Sequence, residues 1–172
     1  MAKKVQIFNN FLDQEVFLEI KKFIMSPRCQ WRYVNYIAHK DGRDNDNDGY
    51  FVHSFKDCHP QTFEDRYPES PHFPLIAKIL DKIKYRNILR IRSSLYPRRD
   101  VQKPDPFHID YDFPHKVCIF YVNTNNGYTM FENGEKIPSV ENQLATFDGS
   151  EKHCSVVQTD TSARYIVNIN IL

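Results

Sequence analysis

The 172-residue chain is predicted to be one α+β domain, with helices in its first half and a β-sandwich or barrel in its second half. Three observations lead to this fold class. Apolar residues recur at helical spacing in two early stretches, the apolar period changes to two from residue 87 onwards, and turn sequences separate the later strand candidates. We expect residues 1–85 to be helical and irregular support, and residues 86–172 to form the barrel core.

In the first half, two amphipathic helices are predicted between short strands. Asp13 is suited to cap the first helix, because its side-chain oxygen accepts hydrogen bonds from free N–H groups, and Ser26-Pro27 ends that helix. Four prolines between residues 57 and 74 predict an irregular segment. The expected elements are strands at 5–8, 31–34 and 50–55, a first helix between Asp13 and Ser26, and a second helix at 75–84.

The second half is predicted to be a succession of strands. Arg90 and Arg92 alternate with Leu89 and Ile91 in a strand that ends at Pro97, so the two arginines share one face. This basic face, with neighbouring Lys and Arg residues, is interpreted as a solvated outer surface rather than a site for nucleic acid or an acidic peptide. The remaining strand candidates are 116–122, 129–132, 143–147, 155–158 and 164–172.

Composition narrows the class of protein. A formal net charge of +1 gives no attraction to polyanions, and four Cys without a Cys-x-x-Cys pair predict reduced, partly buried thiols. No apolar run approaches the roughly 18–20 residues that cross a bilayer, and the N-terminal sequence has no signal-peptide pattern. We therefore expect a cytoplasmic protein that contacts neither membranes nor nucleic acid. The sequence does not predict the oligomeric state.

Two His-x-Asp pairs are candidates for a metal site. In a strand, residues i and i+2 point to the same side, so this pair aims an imidazole and a carboxylate at one point. His108 and Asp110 lie between two strand candidates, whereas His39 and Asp41 open a polar run of eleven residues that is predicted to be a loop. The first pair is therefore favoured. Asp112 is a local rival to Asp110.

A third ligand is expected from a distant part of the chain. His153 follows a strand candidate and an Asp-Gly turn, so a neighbouring strand would bring it back over the first pair. Two imidazoles and one carboxylate leave three positions open on an octahedral iron, as oxygen activation requires. Four other histidines are interpreted as ordinary surface or core residues: His53, His59, His72 and His115.

Arg164 opens the final strand, and no Asp or Glu follows it. A buried guanidinium needs an acidic partner. A bound carboxylate is therefore a candidate partner, although a surface charge is the alternative.

These residues resemble the Fe(II)/2-oxoglutarate-dependent oxygenases, most closely their prolyl-hydroxylase-like branch. The motif of that family is His-x-Asp, a distal His, and an Arg or Lys about ten residues later. His108, Asp110, His153 and Arg164 match it in order and spacing. Similar segments are Leu95-Tyr96-Pro97, the run 118–123 around Tyr121, and Gly127-Tyr128-Thr129-Met130-Phe131. Small proteins of this appearance are also carried by phages, which would place the chain in the host cytoplasm.

The resemblance implies a double-stranded β-helix, which is a jelly-roll-like barrel, with flanking N-terminal helices. It implies Fe(II) held by His108, Asp110 and His153, and 2-oxoglutarate bound by Arg164, Tyr96 and Tyr121. With O2, such an enzyme is a dioxygenase that converts 2-oxoglutarate to succinate and carbon dioxide and hydroxylates an unactivated C–H bond. A prolyl residue in a peptide is the family-level substrate, small molecules are the alternative, and ascorbate is a candidate stimulant.

Other functions are weighed against this one. The run from Asp44 to Gly49 imitates the first half of an EF-hand, but the twelfth position is Phe55 instead of Glu. The nucleic-acid-repair branch of the family carries a second Arg six residues after the first, where this chain has Asn170. A cupin-like metal-binding barrel without oxygenase activity and a catalytically silent binding module remain alternatives.

Overall fold

The structure is a computed structural model that describes residues 5–36 and 49–172. The His39/Asp41 pair and most of the sequence that imitates a calcium loop lie outside these residues.

The described residues form ten strands in two antiparallel sheets. The major sheet has the order β1-β8-β5-β10-β4-β3-β2 and the minor sheet has the order β7-β6-β9. The segment before β5 extends the minor sheet through isolated bridges to β9. The strands are β1 (Val5–Phe8), β2 (Arg32–Val34), β3 (Tyr50–Asp57), β4 (Ile88–Pro97), β5 (Lys116–Tyr121), β6 (Tyr128–Phe131), β7 (Lys136–Pro138), β8 (Gln143–Asp148), β9 (His153–Val156) and β10 (Ala163–Ile171).

The predicted strands are present, with two differences. The short strand β7 was not predicted, because three residues with a single buried side chain carry no period. Strand β9 begins at His153 rather than residue 155, so this histidine belongs to a sheet. Three of the seven strands in the major sheet come from the first 57 residues, which therefore contribute to the barrel as well as to its support.

Helices cover one face of the major sheet. The first helix, α1 (Gln14–Ile24), follows Asp13 as predicted, although the Asp13 side chain makes no capping bond. The second predicted helix is wrong in form. It divides into α2 (Phe73–Ala77) and a 3₁₀ turn (Leu80–Lys82), because Pro74 starts the helix early and the chain then tightens to i→i+3 hydrogen bonds.

The two faces of the major sheet bury different clusters. The outer cluster joins α1 and α2 to side chains such as Phe55, Phe120 and Ile169, and a fully buried side chain of this size contributes about 1.5–3 kcal/mol. The inner cluster fills the space between the two sheets with residues such as Tyr121, Phe131 and Phe147. The functional candidates lie on this inner side.

All four cysteines are unpaired and buried, as the sequence predicted. None of the helices in the described ranges has the length and apolar content of a membrane span.

Candidate metal and co-substrate site

His108 and His153 are brought together by their own backbones. Each N–H donates to the carbonyl oxygen of the other residue at 3.0 Å, so the loop before β5 is fixed against the first residue of β9. The two imidazole centroids lie 4.9 Å apart. The loop residue His108 is therefore placed by main-chain pairing. The strand geometry that the sequence suggested for the His-x-Asp pair is limited to this single bridge.

Hydrogen bonds orient both imidazoles. Nδ1 of His108 lies 3.2 Å from the Pro106 carbonyl oxygen, and Nδ1 of His153 lies 3.1 Å from that of Glu151. Because a carbonyl oxygen only accepts, each neutral ring carries its proton on Nδ1 and keeps the Nε2 lone pair for a cation. Burial lowers the pKa of His153, against the opposing effect of the Asp110 charge, and this favours the neutral form that binds metal.

The Asp110 carboxylate is held from two strands. Its Oδ1 accepts a hydrogen bond from Arg90 Nη2 at 2.8 Å, and its Oδ2 accepts from the amides of Asn170 at 2.8 Å and Asn168 at 3.3 Å. Its side chain is 3% exposed. Burial opposes its ionisation, but nearby positive charges, Arg90 first, outweigh burial and hold the pKa of Asp110 well below its usual range. The rival Asp112 is exposed.

The donor types of these residues fit a divalent metal, but the Asp110 carboxylate would have to turn to complete the site. Within residues 5–36 and 49–172, no three His, Cys, Asp or Glu side chains are arranged as a complete metal site. The reason is that Asp110 is directed towards Arg90 and the two asparagines. A carboxylate has about four lone-pair positions and these bonds use three, so Oδ1 keeps one for a cation. The buried Asn168 Oδ1 has no hydrogen-bond partner beside this group.

Arg164 is a fully buried cation, with 0% exposure. Its Nε donates to Ser139 Oγ at 2.7 Å, Nη1 to Ser155 Oγ at 2.9 Å, and Nη2 to Thr129 Oγ1 at 3.2 Å. A guanidinium has five N–H groups, these three bonds use one on each nitrogen, and the Tyr121 hydroxyl is a further neighbour of the guanidinium. No carboxylate pairs with Arg164 in the described part of the chain, and the alternative of a surface charge is wrong.

Two tyrosines and a glycine shape the space around this guanidinium. The rings of Tyr96 and Tyr121 lie 5.6 and 5.7 Å from the Arg164 guanidinium carbon, and burial raises the pKa of both phenols, so they stay neutral. Tyr121 also shares a 2.8 Å hydrogen bond with Thr129. A Cβ at Gly127 would lie 3.0 Å from Arg164 Cδ and 2.9 Å from the Val156 carbonyl oxygen, so only glycine fits this close approach.

Two cavities connect these groups. A small inner cavity of about 20 Å³ is lined by both histidines and by residues that surround Arg164, including Tyr96, Thr129 and Ser155. It has room for about one water molecule, so a dicarboxylic acid enters only if side chains move. An open cleft of about 370 Å³ lies next to it, and both spaces are lined by His108 and Arg92.

Sequence reasoning missed several residues of this site. Arg90 and Arg92 are not on a solvated outer face: they point inwards from β4, and the former contacts Asp110. Their alternation with Leu89 and Ile91 was visible, but only the helices packed on the other face decide which side is outside. No sequence signal marked the hydroxyls of Ser139, Ser155 and Thr129.

The architecture is that of solved 2-oxoglutarate oxygenases. A viral collagen prolyl hydroxylase from Paramecium bursaria chlorella virus-1, solved with 2-oxoglutarate, matches 99% of this chain and 98% of its own with 15% identity and a TM-score of 0.60. A prolyl hydroxylase from Trichoplax adhaerens, solved with a peptide of the hypoxia-inducible-factor oxygen degradation domain, matches 99% and 84% with 13% identity and a TM-score of 0.65.

HygX from Streptomyces hygroscopicus, solved with nickel, 2-oxoglutarate and hygromycin B, matches 98% of this chain and 82% of its own with 6% identity and a TM-score of 0.60. No protein-family model and no curated protein matches the chain. At these identities the likeness establishes the fold, which is the double-stranded β-helix with flanking N-terminal helices that the sequence predicted.

Proposed function

We propose that this chain is an Fe(II)- and 2-oxoglutarate-dependent dioxygenase that hydroxylates an unactivated C–H bond. His108, Asp110 and His153 would hold the iron, and Arg164, Tyr96 and Tyr121 would hold 2-oxoglutarate. A prolyl residue in a peptide is the first candidate substrate. Two of the solved proteins with this fold are prolyl hydroxylases, but the third binds hygromycin B, and a shared fold is weak support for a shared substrate.

The observation that carries the proposal is the unpaired Arg164. A guanidinium with 0% exposure and no carboxylate partner in the described residues is costly, unless an anion binds it. The planar fork of a guanidinium binds the two oxygens of a carboxylate. The inner cavity is lined both by residues around this guanidinium and by both histidines, so once side chains move to admit it, one small molecule would reach the cation at one end and the metal at the other.

Each protein group has a distinct task in this reaction. The carbonyl contacts of His108 and His153 keep both Nε2 atoms available, and the β4 and β10 contacts orient Asp110. Bound iron would supply the oxygen-activating redox chemistry. The two tyrosines and the apolar inner cluster exclude water from the co-substrate, which strengthens its ion pair with Arg164.

The test is Arg164→Gln with Arg86→Gln as the matched control, because Arg86 is exposed and remote from the cavity. Affinity for 2-oxoglutarate is measured by calorimetry on the Mn(II)-loaded protein without oxygen. Loss of a charge-assisted pair of about 2–5 kcal/mol predicts at least a thirtyfold weaker affinity for 2-oxoglutarate in Arg164→Gln. The control variant should show no change in this affinity. Equal affinities in a folded variant would contradict the proposal.

Turnover separates this function from its alternatives. The Fe(II) protein, supplied with ascorbate, 2-oxoglutarate and air, is expected to release succinate. A cupin-like barrel would bind metal without succinate release, and a silent module would show neither 2-oxoglutarate binding nor release. A rise in melting temperature with Fe(II) and 2-oxoglutarate together gives a first rapid comparison.

A further inference from the structure

The open cleft beside the metal ligands is strongly basic. Four arginines line it: Arg32, Arg66, Arg90 and Arg92. Two aspartates, Asp57 and Asp110, also line it. Counted over residues 5–36 and 49–172, the lining therefore carries an excess of two positive charges, in a chain whose formal net charge is +1.

Only two of these arginines are paired with carboxylates. Arg90 contacts Asp110 at 2.8 Å, and Arg66 lies 3.6 Å from Asp57. Arg92 and Arg32 form no ion pair with the described residues. The excess charge is therefore located on these two guanidiniums.

Arg92 lies at the inner end of the cleft. It lines the cleft and also the small cavity that contains both histidines, so it is next to the place where a substrate C–H bond would meet the iron. Its Nε is buried without a hydrogen-bond partner, and its guanidinium lies 5.9 Å from the Tyr50 ring. A cation held against an aromatic wall with an unused donor is a binding site for an oxyanion.

Arg32 lies at the outer end of the same surface. It pairs in register with Val52, and Arg92 pairs with Ser54, which is the next residue of β3 on the same face. A second hollow of about 320 Å³ continues outwards from here and shares Arg32, Val52, Ser54 and Asp57 with the cleft. The surface is thus an elongated groove with one unpaired guanidinium near the metal and one further out.

We propose that this groove selects an acidic substrate, whose carboxylate binds Arg92 beside the hydroxylated carbon and extends towards Arg32. This inference rests on the proposed oxygenase function and names the substrate class. The carboxylate belongs to an acidic side chain of a peptide or to a small organic acid. Nucleic acid is disfavoured, because phosphate-backbone binding needs a broad basic surface and the chain as a whole is nearly neutral.

The test is a binding experiment that does not require turnover. Protein loaded with Mn(II) and 2-oxoglutarate, without oxygen, is mixed with a random library of proline-centred hexapeptides, and the retained peptides are sequenced. A parallel arm measures thermal shifts with N-acetylated amino-acid amides, whose α-carboxylate is blocked, comparing glutamate with glutamine and aspartate with asparagine. We expect at least a tenfold preference for the acidic members in one arm, which also identifies whether the source is a peptide or a small acid.

Two variants assign the preference to the groove. Arg92→Gln is expected to remove it, and Arg32→Gln, which changes an exposed residue of the edge strand β2, is expected to reduce it several-fold. Arg86→Gln is the charge-matched control and keeps it. In Arg32→Gln and Arg86→Gln, affinity for 2-oxoglutarate stays within about threefold of the unchanged protein, since one tenfold step already equals 1.4 kcal/mol.

Several results would overturn the inference. One is the absence of any acidic preference in both arms. Another is a preference that persists in Arg92→Gln and Arg32→Gln, or a tighter, Arg92-dependent binding of a single-stranded oligonucleotide. A loss of 2-oxoglutarate affinity in Arg92→Gln would mean that Arg92 serves the co-substrate. Succinate release is measured separately, so a chain that prefers acids but never releases succinate would refute the oxygenase function and leave the groove intact.

Discussion

The two faces of β10 place alternate residues of one strand in contrasting surroundings. Val167, Ile169 and Ile171 pack against the helices, whereas Arg164 and Asn170 face the space between the sheets. The outer residues are stable there because they leave water. The inner polar residues are stable only because they bond to one another or to a ligand. One strand therefore separates stability from function by residue parity, and substitutions on its two faces should have different effects.

The largest expected effect is on the inner side, from His153→Ala. Loss of one of two imidazoles should remove iron-dependent succinate release to background, because the remaining ligands bind Fe(II) too weakly. The melting temperature of the metal-free protein is measured beside turnover, and the exposed His59→Ala is the control. Full turnover in His153→Ala would exclude it as a ligand.

On the outer face, Ile169→Ala should have a large effect on stability rather than on turnover. Ile169 is 0% exposed, so its truncation leaves a cavity and should lower the free energy of unfolding by about 2–5 kcal/mol. Urea denaturation measures this change. Affinity for 2-oxoglutarate in the folded protein is expected to be unchanged, and a matching loss of affinity would show that the two faces are coupled.

The adjacent inner residue gives an intermediate effect. Asn170→Ala removes the 2.8 Å hydrogen bond to Asp110 Oδ2 and the acceptor of Arg90. Partners that orient a metal ligand typically contribute about tenfold to a hundredfold in metal affinity. Titration with Mn(II) should show a weakening of this size. An unchanged affinity, with Ile169→Ala equally silent, would mean that Arg90 and Asn168 orient the carboxylate alone.

The smallest expected effect is a pH response on the outer face. Burial lowers the pKa of His53, which packs against Phe55 and Phe23, so protonation favours the unfolded chain. The contribution of neutral His53 is complete above its ordinary pKa of 6.5 and is lost as the pH falls below that value. Denaturation at pH 7.5 and pH 5.5 should show a slightly smaller loss for His53→Gln than for His59→Gln. Parallel losses would contradict this assignment.

The order of the candidate site residues could be read from the sequence, whereas the charge balance of the site could not. His108, Asp110, His153 and Arg164 were picked out as candidates by their spacing and by resemblance to a family motif, and the structure brings the two imidazole centroids to 4.9 Å. Arg90 and Arg92 were assigned to the wrong side. Alternation states that residues share a face, but it does not say which face is covered by helices and which faces the second sheet.

The sequence by itself therefore determined most of the strands and the first helix, the split of each strand into two faces, and the order of the candidate ligands, because these depend on local period and spacing. Only the tertiary structure decided that Arg164 is buried among three hydroxyls without a carboxylate in the described residues, and that Arg92 lies beside the candidate metal ligands with no ion pair to any of those same residues. The physical reason is that desolvation and ion pairing depend on side chains far apart in sequence, whose meeting is set by how the two sheets and the helices pack.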